Sequence, residues 1–205
     1  MPKGSPELTN ARREEIISAC EELYKTKGFK DVTIRDIGNM TSFTRTSIYN
    51  YFQTKEEIFL AILKREYDLW TEELNQSINA CESMSDEEIA DCLAGTLDKR
   101  QLLLKLLSMN HYDMEENSRM EALTDFKISY GKSMQTVMAL LGKFRPAMTV
   151  VERQGFVYAF FPFLFGVYPY TVVTDKQKEA MREAGVNYTY QSVYELIHAC
   201  VLRLL

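Results

Sequence analysis

Residues 33–57 read TIRDIGNMTSFTRTSIYNYFQTKEE, and their spacing places three helix starts in one short stretch. Thr33 precedes Ile34 and Ile37, an apolar pair at helical spacing. Thr44 precedes Arg45, Thr46 and Ser47, and Ile48 with Phe52 forms an i, i+4 apolar stripe. Thr54-Lys55-Glu56-Glu57 has the form of a capping box, in which the Thr54 hydroxyl accepts from the Glu57 amide and the Glu57 carboxylate reaches back to the cap. Two short helices joined by a tight turn, the second poor in apolar and rich in small polar residues, make the pattern of a helix-turn-helix. The reason is physical. A helix that enters a major groove turns hydrogen-bonding side chains outward and keeps only a narrow apolar face for its own core.

Upstream, residues 1–8, with Pro2, Gly4 and Pro6, read as a flexible arm in which Lys3 is the basic residue available to a nucleic acid. A first helix is expected over Thr9–Lys27, with Ile16, Ile17, Cys20, Leu23 and Tyr24 on one face and Gly28 at its C-terminal end. Phe29 and Val32 are expected to fill the core of this three-helix unit. Downstream, Ile58, Phe59, Ile62, Leu63, Tyr67, Trp70, Leu74 and Ile78 keep helical steps over a long fourth helix. A capping box at Ser85 predicts a helix to Gly95, and Leu97–Met109 a leucine-rich one ended by His111-Tyr112-Asp113. A long helix follows over 118–144. Thr149 with Glu152 starts an aromatic helix to about Tyr168, in which Pro162 implies a kink. Thr174 starts a short helix closed by Gly185, and Thr189 or Asn187 caps the last one. No alternating strand pattern occurs, so the chain reads as all-α. An N-terminal three-helix domain, 1–55, is joined through helix four to a helical C-terminal domain, 56–205, with the junction on the helix itself and not on a flexible linker.

The motifs T-I-R-D-I at 33–37, T-R-T-S-I-Y-N-Y-F at 44–52 and T-K-E-E-I at 54–58 resemble the DNA-binding domain of TetR-type transcriptional regulators. Gly38, Thr41, Ser42 and Phe43 depart from that family's usual Ala, Ala, Gly and Val, and at Ser42 the turn ordinarily takes a residue tolerant of positive φ. The resemblance implies a homodimeric repressor on double-stranded DNA with a palindromic operator, released by a small-molecule effector. It places Thr44, Arg45, Thr46, Tyr49 and Asn50 on the groove side of the third helix. Arg45 suits guanine O6 and N7, Asn50 suits adenine, and Tyr49 suits a phosphate or a thymine methyl. Thr33 and Lys55, at helix N-termini, are placed for phosphate. The plainer alternative is that the threonines only cap, Tyr49 packs and Arg45 is a solvated charge. By the same resemblance Trp70, His111, Tyr112, Phe126, Tyr130, Met134, Tyr158 and Phe161 are effector-pocket candidates, although aromatic stripes at helical spacing are also what plain core looks like. Phe156, Phe160, Phe163, Val167, Val193, Ile197 and Val201 are candidates for a dimer interface built by the last two long helices.

Composition bounds these readings. Net charge is −5, but residues 1–60 carry nine basic and nine acidic side chains, so the acidic excess lies wholly in residues 61–205. A neutral reading head has no strong general pull on phosphates, which predicts weak non-specific binding and reliance on a few placed cations. The neutral charge also favours an alternative in which the N-terminal unit of a helical ligand-sensing protein binds a protein partner; steep salt dependence would argue for DNA. The cysteines Cys20, Cys81, Cys92 and Cys200 form no C-x-x-C, and with two histidines no zinc pattern, phosphate loop or catalytic triad assembles, so neither metal, cofactor nor enzyme activity is expected. The cysteines read as small buried hydrophobes, with Cys81 and Cys92 as a minor redox-pair alternative. No secretory signal or membrane span is read, which points to the cytoplasm.

Overall fold

The computed structural model describes residues 5–109 and 111–205, without the side chain of His111, and Lys3 lies outside the described residues. Among the described residues there are eleven α-helices, one 3₁₀ turn and no strand, an all-α fold. The chain divides into two compact units. One holds the residues up to Glu66 together with Met109–Tyr130; the other holds Tyr67–Ser108 and Gly131–Leu205. These units are drawn differently from a division at residue 55, because α4 (Lys55–Ala80) and α8 (Met120–Phe144) each give residues to both.

In the first unit, α1 (Pro6–Thr26) begins earlier than Thr9. Ser5 caps it by accepting from Leu8 N at 3.3 Å, and Pro6 at the first helical position loses no hydrogen bond there. Residues 5–8 are therefore cap and helix, not arm. Ile16, Ile17, Cys20 and Tyr24 are buried. Tyr24 meets Phe59 of α4 edge-on at 5.1 Å, and Phe29 of the 3₁₀ turn Phe29–Asp31 lies 4.7 Å from the same ring. Each such aromatic body stabilises by about 1.5–3 kcal/mol on burial. Gly28 sits at φ −76° and caps the 3₁₀ turn, so it does not close α1 in the left-handed region. Next come α2 (Ile34–Asn39), α3 (Arg45–Ile48) and, later in the chain, α7 (His111–Glu116), a helix where the sequence suggested only a helix end.

The second unit is built from the C-terminal part of α4, α5 (Asp86–Asp98), α6 (Gln101–Leu107), the rest of α8, α9 (Val150–Thr171), α10 (Asp175–Glu183) and α11 (Val193–Leu204), with α11 packed on α5 and α9, and α6 on α9. Gly95 does not break α5. The helix runs on because Thr96 and Leu97 are buried, and it stops at Lys99 and Arg100, which reach Glu73 of α4 at 2.7 and 3.2 Å. The boxes at Ser85 and Thr149 form as expected, with Glu88 and Glu152 reaching back. The last helix is capped by Ser192 with Glu195, not by Thr189 or Asn187. Among the described residues, Gly185 at φ +68° has the only positive φ; it closes α10 with Val186 N donating to Met181 O at 3.0 Å. α9 continues through Pro162 and Pro169 to Thr171. Cys20 is fully buried, which pushes its thiol up to about 12, whereas Cys81, Cys92 and Cys200 are only half-buried. Among the described residues no single helix is long and apolar enough to cross a membrane; α9 and α10 pass such a test only jointly, bent by 86°.

Candidate nucleic-acid interface

The reading head is held by its caps. The Thr33 hydroxyl accepts from Asp36 N at 3.1 Å and donates to Asp36 Oδ2 at 2.9 Å, and Asp36 accepts from Thr33 N at 3.3 Å. This hydroxyl holds the Asp36 carboxyl below its ordinary value, and Lys27, 3.4 Å away, adds to it. The Thr33 hydroxyl is thus engaged in capping. Beside it, Arg35 in the first turn of α2 and Lys30 in the 3₁₀ turn are exposed cations that the sequence reading left out. Their signal was position alone, since each lies within three residues of the Thr33 cap.

The turn between α2 and α3 needs no left-handed residue: Ser42, like every described non-glycine, has negative φ. Its stability comes from side chains. Thr41 Oγ1 lies 3.1 Å from both Gly38 O and Phe43 O, and Ser42 donates its amide and its hydroxyl to the two oxygens of Glu15 on α1. Gly38 matters for a different reason. A Cβ there would come within 3.1 Å of Arg45 Cβ, so the missing side chain lets α2 and α3 approach closely. Phe43, larger than the usual valine, lies 6.3 Å from the Tyr51 ring and carries the Arg12 guanidinium 5.6 Å from its centroid.

α3 covers only Arg45–Ile48, with Thr44 as N-cap and Tyr49 as C-cap. The chain continues as turns, in which Asn50 N bonds Ser47 O at 3.1 Å and Phe52 N bonds Ile48 O at 3.0 Å. Tyr49 and Asn50 therefore follow the helix and are not part of it. Ile48, Tyr51 and Phe52 are buried, while Thr44, Arg45, Thr46 and Asn50 are exposed and Tyr49 is 46% exposed. The sequence-selected contact residues share this outward, polar segment. Thr44 gives no cap bond; its hydroxyl instead pairs with Ser47 Oγ at 3.0 Å.

Lys55 is occupied differently. Its ammonium donates to Phe29 O at 2.9 Å and Val32 O at 3.3 Å and lies 4.6 Å from the Phe29 centroid. It ties the 3₁₀ turn to the start of α4. Lys55→Met, which keeps the stem and removes the donors, is expected to cost about 1.5–3 kcal/mol of unfolding free energy by urea titration. Unchanged stability with weaker DNA binding would return Lys55 to phosphate.

The Thr54 box is only half formed. Glu57 N donates to Thr54 Oγ1 at 3.2 Å, but the Glu57 carboxylate turns away from Thr54 N. It accepts instead from Gln53 N at 2.8 Å, Arg119 N at 3.1 Å, Arg119 Nε at 2.6 Å and Arg119 Nη2 at 2.8 Å. Thr54 Oγ1 also donates to Asn117 O at 2.9 Å. The segment before α8 is thus strapped to the start of α4, just after the turn that follows α3. Burial pushes the Glu57 carboxyl up, but the Arg119 side chain, then the Gln53 and Arg119 amides, outweigh it and hold the group below its ordinary value.

The effector candidates fall in both units. Trp70 is fully buried, donates Nε1–H to Thr96 Oγ1 at 3.1 Å and lies 5.9 Å from Phe161, itself buried, so this pair is core of the second unit. Phe126 and Tyr130, with ring centroids 6.2 Å apart, belong to the first unit, and Tyr112 is 86% exposed. Met134 and Tyr158 do share a cavity of about 350 Å³ with Met138 and Val157. Most of the interface candidates lie in the core of a single chain. Phe156, Phe160, Val167, Val193, Ile197 and Val201 are buried inside one chain and Phe163 is half-buried. Among the apolar groups that α9 exposes, Val151, Gly155, Tyr158, Ala159 and Pro162 fall at helical spacing on one stripe. α9 is apolar around its whole circumference, so spacing alone does not say which side turns inward.

Residues 64–192 match the tetracyclin repressor-like C-terminal domain, and residues 16–62 match the bacterial regulatory proteins of the tetR family. The chain belongs to the TetR family. Its N-terminal match is to bacterial regulatory proteins, and the first curated relatives it matches are covered over only about a third of their own length. YfiR of Bacillus subtilis, an uncharacterised helix-turn-helix regulator, is 33% identical over 76 residues, 37% of this chain and 37% of its own length. A TetR transcriptional regulator from Rhodococcus sp. RHA1 shares the fold with a TM-score of 0.62 at 15% identity, covering 96% of both chains. FadR of Thermus thermophilus, a TetR-family repressor solved with lauroyl-CoA, gives 0.59 at 16% identity over 94% of this chain and 93% of its own.

Proposed function

We propose that this TetR-family regulator is a homodimeric repressor that holds a palindromic operator and leaves it when a small apolar effector binds. In this reading residues 1–55 read DNA, residues 56–205 bind the effector and a second copy, and the chain acts in the cytoplasm, where its operator is. The observation that carries it is the exposed polar run Thr44, Arg45, Thr46, Tyr49 and Asn50 set on buried Ile48. Arg45 supplies the guanine fork and Asn50 the adenine pair; Arg35 and Lys30 add the phosphate contacts that Lys55, tied to carbonyls, supplies less freely.

A two-fold dimer presents two such heads about one helical turn apart, which a palindrome requires. The exposed apolar stripe of α9, with the half-exposed Leu196, Cys200 and Leu204 of α11, is the surface that supports it. Ala159→Arg is expected to give a monomer by light scattering and to weaken operator binding, with helicity unchanged. A dimer that survives this change would rule out the α9 face.

An apolar effector is supported by the cavity of about 350 Å³ at Met134, Met138, Val157 and Tyr158, within the size range of small-molecule sites, and by the lauroyl-CoA held in the Thermus thermophilus FadR. Release would run through α4 and α8, whose residues belong to both units. Full switching of a 99:1 equilibrium needs about 5.5 kcal/mol of differential effector binding. Fluorescence anisotropy of a labelled operator tests this: acyl-CoA or fatty acid should release the duplex, and no release by any apolar ligand would remove the effector half of the reading.

A further inference from the structure

Apart from the reading head and the Met134 cavity, a small pocket in the second unit is lined by Tyr170, Val173, Gln177, Met181, Tyr188 and Tyr190. Three aromatic rings surround it from two segments: Tyr170 is the penultimate residue of α9, and Tyr188 and Tyr190 come from the loop 186–192 before α11. The rings are inclined to one another and do not stack flat. Tyr170 and Tyr188 have centroids 6.3 Å apart at 51°, and Tyr188 and Tyr190 are 5.1 Å apart at 71°. They remain 58%, 37% and 38% exposed, an unusual amount of tyrosine to leave in water around one concavity.

The end of α9 has the same sign as the ring faces. Tyr170 lies in the last turn of α9, whose C-terminus carries a partial negative charge, whereas α10 lines the pocket with residues of both its first and last turns, Gln177 and Met181, so its own dipole favours neither sign there. Ring faces, like the α9 C-terminus, are negative. The cations of α10 add no net positive charge, because Lys176, Lys178 and Arg182 are matched by Asp175, Glu179 and Glu183 on the same helix, and Lys178 and Arg182 pair with Asp175 and Glu179. α10 contributes no fully buried residue, and Met181 is its only half-buried one.

We propose that this pocket is a binding site for an organic cation of the quaternary ammonium class. Faces of tyrosine attract a diffuse, weakly hydrated cation, and the thioether of Met181 suits its methyl groups. The site is separate from the Met134 cavity and does not depend on the reading of that cavity. An uncharged apolar group of the same shape would gain the contact area but neither electrostatic contribution.

The test compares choline with its uncharged isostere, 3,3-dimethyl-1-butanol, on the full chain, by saturation-transfer NMR on the methyl protons with titration to saturation. Choline is expected to bind about tenfold or more tightly than the isostere, the gain expected of two or three exposed cation–π contacts. Tyr188→Leu, which keeps apolar bulk and removes one ring face, should weaken choline several-fold; Tyr190→Leu serves the same purpose if that variant loses helicity. Tyr112→Leu, an exposed tyrosine of the first unit, should leave choline binding unchanged. Equal affinity for the two ligands, choline binding indifferent to both pocket variants, or no saturable binding of choline up to about 0.1 M would each overturn the assignment.

Discussion

Arg119→Ala is expected to lower the unfolding free energy of the first unit by about 2–3 kcal/mol, less than the 3–5 kcal/mol typical of a fully buried pair. The Glu57 side chain is fully buried, but the Arg119 side chain is 43% exposed, so water screens part of the loss. Removing the guanidinium takes two of the four donors from the buried carboxylate. Arg119→Lys should fall between, since an ammonium keeps the charge without the fork. Hydrogen exchange gives the local readout: the Gln53 amide, donated to Glu57, should lose protection before the rest of α4. The pH dependence has a definite sign. Because the folded Glu57 carboxyl titrates below its unfolded value of about 4.3, the clasp contributes fully above that pH and is lost as pH falls through the folded value. Glu57→Gln should remove that part of the acid dependence, and an unaltered acid profile would show that Glu57 carries no such linkage.

Arg45→Ala is expected to cost about 1–3 kcal/mol of specific operator affinity, roughly 5- to 150-fold, and to relax preference at one base pair while the protein stays folded. Arg45 is exposed on α3 and its guanidinium has no described bond to the rest of the chain, so truncation removes little packing. Anisotropy titrations at two salt concentrations separate its roles. A base contact lowers affinity for the preferred duplex much more than for a scrambled one; a phosphate contact lowers both alike and reduces the salt slope by about one. Equal affinity of variant and parent for the preferred duplex would place Arg45 outside the interface.

The parts of this fold that were legible in the sequence are those decided locally. The boxes at Ser85 and Thr149 need only residues three apart, and the buried Ile48 and Phe52 against exposed Thr44, Arg45 and Thr46 follow from helical spacing. The rest has distant causes. Glu57 has the right spacing to close a box on Thr54, yet its carboxylate is taken by Arg119, 62 residues away in sequence. Lys55 heads a helix as a phosphate ligand would, and its ammonium also donates to two carbonyls, of residues 29 and 32, that no local spacing reveals. Ser42 needs no positive φ because Glu15, on another helix, holds the turn. In α9 the apolar residues occur on every side, so only the packing with α6 and α11 chooses which of them are core.

Selection of duplexes from a random-sequence pool by the purified 205-residue chain tests the central claim most directly. The account predicts enrichment of an inverted repeat with half-site centres about one helical turn apart, bound by two chains, and loss of that enrichment with Arg45→Ala. Recovery of no preferred sequence, or of a lone half-site bound by one chain, would contradict it.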